Sequence, residues 1–511
     1  MEFTERSHSI VTISKLLDSS ISKDVLENVR LLKSHESGMH YLIVLDKFDD
    51  NPLLYDLTKN LRRKETRFEI VYVTREELAK ITDAFDVAKT LDDTSEVQAK
   101  IINIIKTAVE LRASDIHFLI LQNMFKVAFR IDGIKRNITQ FEDTVQNGKT
   151  LVQSLYNSMC DERSTTTLNF KDPSDAKIRE EFVSEFGLST GRFASRPGSA
   201  GSLIAVIRLV SKRKELLELD ALGLSEKQVL TLRKALSKPY GVIFSSGPTG
   251  HGKSTLSQCM AETVTREDSG INLITVEDPI ESPISGAVQT PLIIADRSDR
   301  QRMGMAWASA ITNLMRLDPD FIYIGEVRDI TSATGVIEAA QTGHNVITTI
   351  HTSHPIDIIE RLSRLGVEKY LLTDETLITC LIGLRLTPLL CPKCKLPYAS
   401  NSSDVESEVR SRIEKHINVS EAYIINSNGC DCCNHTGIKG RTGVFEVIET
   451  NGRFMQLYEQ EGKLAAWKYW HKSGGETLCE SLLTLINKGV VDPVSAHKKI
   501  CNLDRDEILN E

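Results

Sequence analysis

The stretch GPTGHGKST, Gly247 to Thr255, sets three glycines, a lysine and hydroxyl side chains within nine positions. That order fits a phosphate-binding loop. Gly247, Gly250 and Gly252 let backbone N–H groups approach an anion, and the dipole of a following helix adds positive potential. Pro248, Thr249 and His251 fill the loop between them, and Thr255 completes the candidate nucleotide-binding stretch. In such a loop Lys253 reaches the β- and γ-phosphates of ATP, and Ser254 places its hydroxyl on Mg²⁺. The plainer reading is a glycine-rich turn. Context argues against it, because GVIFSSG supplies a buried strand before the loop and KSTLSQCMAETV a helix after it.

Three further segments share one design. NLITVEDPIE, DFIYIGEVRD and NVITTIHTS each read as an apolar strand that runs into ionisable residues at its carboxyl end. In a parallel sheet ligands bind beyond those ends, so these clusters and the loop should meet along one edge. They bring Glu277, Asp278 and Glu281, then Glu326 and Arg328, then His351 and Thr352. Phosphoryl transfer uses such groups: carboxylates orient water or support Mg²⁺, and cations neutralise charge on phosphates. Glu326 is the candidate for polarising the attacking water, Glu277 for supporting the magnesium and water network, and His351 for contacting the γ-phosphate. A hydrogen-bonded core histidine is the alternative for His351.

The cysteines form a second constellation. Cys391 and Cys394, then Cys430 and Cys433, make two Cys-x-x-Cys pairs on either side of residues 395–429. Each pair suits a knuckle that presents two thiolates to one tetrahedral ion, and four thiolates leave no open position, so Zn²⁺ here would be structural. Cys432 offers an alternative Cys-x-Cys register with Cys430, and His435 a further ligand.

These residues need a scaffold. The chain has 511 residues, enough for three or four domains of about 150 residues each. Its net charge of −8 disfavours a broad nucleic-acid-binding field. No apolar run reaches the roughly 20 residues that cross a bilayer, and the N-terminus lacks a signal-peptide pattern. We therefore expect a cytoplasmic protein with reduced or metal-bound cysteines. Residues 1–90 suggest a small strand–helix–strand–helix unit around MHYLIVLD and RFEIVYVTREELAKI. Residues 96–215 open with the helical EVQAKIINIIKTAVELRAS and continue into the strands DIHFLIL, KVAFRIDG and SLIAVIRLV. SKRKELLELDALGLSEKQ reads as a linker into an alternating strand–helix domain over 225–390. Residues 391–450 hold the cysteines, with DVESEVRSRIEKH helical, and 451–511 read as helices.

With these motifs in order, the chain resembles the ATPases of type II secretion and type IV pilus assembly, within the secretion-ATPase superfamily. GPTGHGKST resembles the family's Walker A, TVEDPIE its Asp box, LDPDFIYIGEVRD its Walker B and AAQTGHNVITTIHTS its His box. RASDIHF and FRIDG resemble the start of the second N-terminal domain, and CPKC with GCDCCNHTGIKGRTGVFEVIE the tetracysteine module. The family pattern Gly-Cys-x-x-Cys falls on Cys430 and Cys433, leaving Cys432 unexplained. Three stretches depart from the pattern. HTSH replaces His-Thr-Asn-Asp, so Ser353 and His354 receive no family role; LRLTPLLC lacks a Gln and later basic residues; and TTTLNFKDPSDAKIREEF occupies the place of an RLPQDGR-like stretch.

The resemblance implies an α/β architecture: a RecA-like P-loop ATPase domain, a preceding α+β domain, a small N-terminal α/β unit and a zinc-bearing C-terminal module. It implies a homohexamer with ATP held between the second N-terminal and RecA-like domains, and arginines of the former acting on phosphates. Arg130 and Arg208 fit best by motif position, with Arg192 and Arg196 as further candidates. The expected function is a cytoplasmic motor that hydrolyses ATP and works through an inner-membrane platform protein, meeting the membrane only through partners and binding no nucleic acid. A retraction motor and a DNA-transfer ATPase are disfavoured by the cysteines, and a non-hydrolysing scaffold by the intact Lys253, Ser254, Glu277, Glu326 and His351 set.

Overall fold

The computed structural model describes the chain apart from residues 1–7, 12, 14–24, 26–27, 35–36, 65, 79–80, 82–95, 162, 213–217, 295–299, 404 and 511. The boundary expected near residue 90 and the core of the basic linker lie outside the described residues. The chain forms two compact units, residues 1–103 and 104–511.

The first unit holds a sheet ordered β1 (His8–Ile10), β2 (Val29–Ser34), β3 (His40–Leu45) and β4 (Phe68–Val73). β3 and β4 are parallel, joined through helix Pro52–Arg63, whose start is capped by Asn51 accepting from the Leu53 N–H at 2.9 Å. The expected strand, helix and second strand are β3, helix Pro52–Arg63 and β4, the expected second helix runs into residues outside those described, and β1 and β2 are additional. VRLLKS forms β2, antiparallel to β3, and buries Leu31 and Leu32.

The second unit contains two large sheets. The first is antiparallel throughout, in the order β7 (Ile134–Asn137), β6 (Phe125–Ile131), β5 (Ala113–Ile120), β11 (Leu203–Ser211), β10 (Leu188–Pro197), β9 (Ser174–Ile178), β8 (Cys160–Asp161). Strands β5 and β6 bury Ile116, Phe118, Val127 and Phe129, and helix Val145–Met159 packs on them through Leu151, Leu155 and Tyr156.

The second sheet is ordered β14 (Ala287–Pro291), β13 (Leu273–Glu277), β15 (Phe321–Ile324), β16 (Asn345–Ile350), β12 (Gly241–Ser246), β17 (Ile378–Leu390), β20 (Ile438–Glu449). All neighbours are parallel except the last pair. Every residue of β12, β13, β15 and β16 is buried, as expected for strands covered on both faces. The last strand comes from beyond the second cysteine pair. It pairs with β17 from Cys380↔Glu449 to Leu390↔Ile438 and so covers an edge that would otherwise be open. Two short strands, β18 (Leu396–Pro397) and β19 (Tyr423–Ile424), pair between the cysteine pairs, and helix Ser407–Glu414 lies in the same segment. Among the described residues no helix is long and apolar enough to cross a membrane.

A buried ion pair ties the C-terminal helices to β20. Glu446 is fully buried and accepts from the Trp467 Nε1–H at 3.1 Å and the Leu478 N–H at 3.1 Å. Arg505 Nη1 lies 3.5 Å from the same carboxylate, with its guanidinium 4.6 Å from the Trp467 ring centre. Burial pushes the Glu446 carboxyl up and Arg505 opposes that shift. Removing one partner of such a pair strands a charge, at a cost of about 3–5 kcal/mol, whereas neutralising both can be nearly free. Arg505→Met should lower the first urea unfolding transition of the full chain, and Glu446→Gln added to it should recover most of the loss.

Candidate functional site

The chain leaves β12 at Ser246, turns through Gly247–Gly252 and enters helix Lys253–Glu267. Gly250 (φ +78°) and Gly252 (φ +91°) occupy the left-handed region, which turns consecutive N–H groups inward. Lys253 is buried, and its ammonium donates to the carbonyls of Gly247 at 2.8 Å and Pro248 at 3.1 Å. Burial lowers its pKa to about 8, with Glu326 acting in the opposite direction. His251 Nδ1 accepts the Leu386 N–H at 3.0 Å, which requires the proton of a neutral ring on Nε2. Burial and the nearby cations Arg385, Arg441 and Lys253 keep that ring uncharged, with a pKa of about 4.

The three polar strand ends arrive beside this loop. Gly325 N–H donates to the Val276 carbonyl at 2.9 Å, and Thr349 Oγ1 donates to the Gly325 carbonyl at 2.8 Å, stitching the ends of β13, β15 and β16 together. Glu277 is buried; one carboxylate oxygen accepts from Thr275 Oγ1 at 2.8 Å and Gln289 Nε2 at 2.9 Å, while burial raises its pKa. Glu326 is ion-paired with Arg328, and its other oxygen lies 3.8 Å from His351 Nε2. Burial, reinforced by Lys253, lowers the His351 pKa, so the ring is neutral at pH 7. Thr352 turns away to donate to the His354 carbonyl at 2.8 Å.

Across a cleft of about 970 Å³ stands the antiparallel sheet. Arg208 Nε and Arg130 Nε lie 3.3 and 3.7 Å from the carboxylate of Asp115, a buried residue of β5. Arg192 Nη2 is 3.3 Å from Glu281. Arg196, four residues further along β10, does not line the cleft.

The four cysteines Cys391, Cys394, Cys430 and Cys433 bring their sulfurs within 4.8 Å of one another. Cys391–Cys430 is 3.7 Å, Cys394–Cys433 3.8 Å and Cys430–Cys433 3.9 Å. Tetrahedral Zn²⁺ with Zn–S near 2.3 Å requires sulfurs about 3.8 Å apart, so the set fits. Gly437 and Cys430 direct their N–H groups at Cys433 Sγ, each at 3.2 Å, the support a metal thiolate needs. Cys432 faces Lys439 at 3.4 Å, and His435 faces Asp431 at 3.2 Å.

Residues 90–503 match the family model described as "Type II/IV secretion system protein". The chain belongs to that family. It is 28% identical over 417 residues to the type II secretion system ATPase E of Vibrio cholerae, covering 80% of this chain and 78% of that one. To the type IV pilus assembly ATPase PilB of Myxococcus xanthus it is 30% identical over 379 residues, covering 74% of this chain and 62% of the relative. The crystal structure of the pilus retraction motor PilT with bound ADP superposes with a TM-score of 0.52 over 80% of this chain and 99% of PilT, at 23% identity, a likeness of fold. Such homologues indicate a type II secretion or type IV pilus assembly ATPase.

In this secretion-family chain the cleft gathers loop residues Thr249–Thr255 with Glu277, Glu326, His351, Arg130, Arg192 and Arg208, while Gly247 and Pro248 lie outside its lining. Sequence reasoning missed several ionisable members, Asp115, Asp132 and Arg441 among them. Asp115 lies within RASDIHF, on the phase of β5 opposite to the core-facing Ile116, Phe118 and Ile120, which was a readable signal. Arg441 enters the cleft from β20, opposite Pro388 in register, and has no local signal because that pairing is long-range.

Two measurements follow. The Lys253 ammonium is the form that binds phosphate, and it is lost as pH rises through its ligand-free pKa of about 8. Apparent ATP affinity should therefore fall by up to about tenfold per pH unit above that value, until the raised pKa of the bound state is reached. Elemental analysis should find about one zinc per chain, retained in Cys432→Ser and lost in Cys433→Ser.

Proposed function

We propose that this chain is a cytoplasmic, homohexameric motor that hydrolyses ATP to power type IV pilus assembly or type II secretion through an inner-membrane platform protein. The observation that carries the reading is the facing of two walls: phosphate loop, Glu277, Glu326 and His351 on one side, Arg130, Arg192 and Arg208 on the other. The tetracysteine cluster, matched by the family's assembly-type module, favours assembly over retraction. In this scheme residues 96–215 form the arginine-bearing domain, 225–390 the RecA-like domain, 391–450 the zinc module and 451–511 a helical region, while residues 1–90 dock a partner.

The chemistry follows from position. Gly247–Gly252 cradle the phosphates with backbone N–H groups, and Lys253 exchanges its loop carbonyls for β- and γ-phosphate oxygens. Ser254 would hold Mg²⁺, which supplies charge neutralisation on the triphosphate. Glu326 orients and polarises the attacking water once Arg328 releases it, with His351 beside it as a neutral contact to the γ-phosphate. Arg130 and Arg208 leave Asp115 for the more highly charged phosphates and neutralise charge as the bond breaks. Buried Glu277 supports the water and magnesium network through its free oxygen.

Lys253→Ala should reduce ATP turnover at least ~100-fold. Glu326→Gln should bind ATP at near wild-type affinity without releasing phosphate; phosphate release at the wild-type rate would remove Glu326 from its role. A chromosomal Lys253→Ala allele should abolish fibres or secretion. Abundant non-retracting fibres would point to retraction instead.

A further inference from the structure

The β6–β7 hairpin touches both sites of this molecule. Its turn is Asp132 and Gly133, at φ +46° and +88°. Arg130, just before the turn, lines the nucleotide cleft and donates through Nη1 to the Gly133 carbonyl at 3.0 Å. On its other side the hairpin is held by the cysteine module. Asp132 is buried, and its Oδ2 accepts from Arg112 at 2.7 Å and from the Gly440 N–H at 3.3 Å. Arg136 Nη2 donates to the Thr436 carbonyl at 2.8 Å.

Residues 436–440 are in turn hung on the sulfur cluster. Thr436 Oγ1 donates to the Cys433 carbonyl at 2.5 Å and the Gly437 N–H to Cys433 Sγ at 3.2 Å, while the Gly437 carbonyl accepts the Cys391 N–H at 3.0 Å. Polar contacts thus run from the cysteines through Thr436–Gly440 to Asp132 and Arg136, and the short turn between those two residues carries the connection to Arg130 through the Gly133 carbonyl. Four thiolates drawn onto one ion would set the path of residues 433–437, and without the ion that common anchor would be gone.

We propose that Asp132 and Arg136 are positioning residues that hold Arg130 in the nucleotide cleft against the cysteine module, so that metal in the module sets nucleotide affinity. This coupling would give the cysteine cluster a role in a cleft that none of its four thiols lines. It rests on the reading of the cleft as an ATP site, and the experiment separates the two.

The test is a titration of a fluorescent ATP analogue with Mg²⁺ against the full chain, metal-loaded and after chelator stripping. Stripping the wild type should weaken binding by about fivefold. Arg136→Ala should weaken it equally while keeping its zinc, and stripping that variant should cost nothing more, because both changes cut one connection. Asp132→Ala should likewise weaken binding while keeping its zinc, and Asp132→Asn, which keeps an acceptor for the Gly440 N–H and tolerates the positive φ, should lose less than Asp132→Ala. Hydrogen exchange in residues 125–137 should rise on stripping the wild type, a readout that needs no variant. Equal affinity of loaded and stripped wild type, additive losses, or unchanged exchange would overturn the proposal. If the loaded wild type binds no nucleotide, the ATP reading fails and the exchange result still decides the coupling.

Discussion

The pairing of β17 with β20 is the constraint on which the rest of this molecule rests. β17 is parallel to β12 in the parallel sheet, yet its other edge is taken by an antiparallel strand from beyond the cysteines. That one ladder closes the sheet, brings Cys391 next to Cys430 and delivers Arg441 to the nucleotide cleft. It also carries Glu446, whose buried carboxylate anchors the C-terminal helices. Towards the end of β17 Leu386 holds His251 of the phosphate loop, and Leu390 leads directly into Cys391. The stretch Leu386–Leu390 therefore connects two kinds of chemistry.

The cleft is an electrostatic balance held without its ligand. Arg130 and Arg208 share Asp115, Arg192 leans on Glu281, and Arg328 occupies Glu326. Each of these four arginines thus has a carboxylate partner within the protein. A triphosphate carries more charge than any one of these carboxylates, so its arrival exchanges partners rather than importing charge into an empty site. Lys253 follows the same logic with neutral carbonyls, and burial makes its ammonium the one cation here whose charge depends on pH near neutrality.

Much of this was legible in the residues themselves. Four apolar runs ending in polar clusters are the signature of parallel strands whose carboxyl ends share an edge, and β12, β13, β15 and β16 meet there. The strands DIHFLIL, KVAFRIDG and SLIAVIRLV were equally plain, because alternation and β-branched content agree. What could not be read is what long-range pairing creates. Nothing local in IKGRTGVFEVIE says that it completes a sheet begun near residue 241, or that Arg441 will face a phosphate loop. Strand β9 falls in the stretch that departs from the family pattern, where only chain pairing defines it.

The three crowded cysteines show how a local turn can decide between ligands that composition leaves equal. Asp431–Cys433 forms a turn of 3₁₀ helix, in which residues three apart stand on the same side. Cys430 and Cys433 therefore converge, their sulfurs 3.9 Å apart, and Cys432 is rotated by a third of a turn toward Lys439. Asn434 and His435 then take positive φ and reverse the chain, which aims the Gly437 N–H back at Cys433 Sγ. Because that reversal also presents the Thr436 carbonyl to Arg136, the geometry that selects the fourth thiolate is the geometry that docks the hairpin. Ligand choice and cleft architecture are two consequences of one turn.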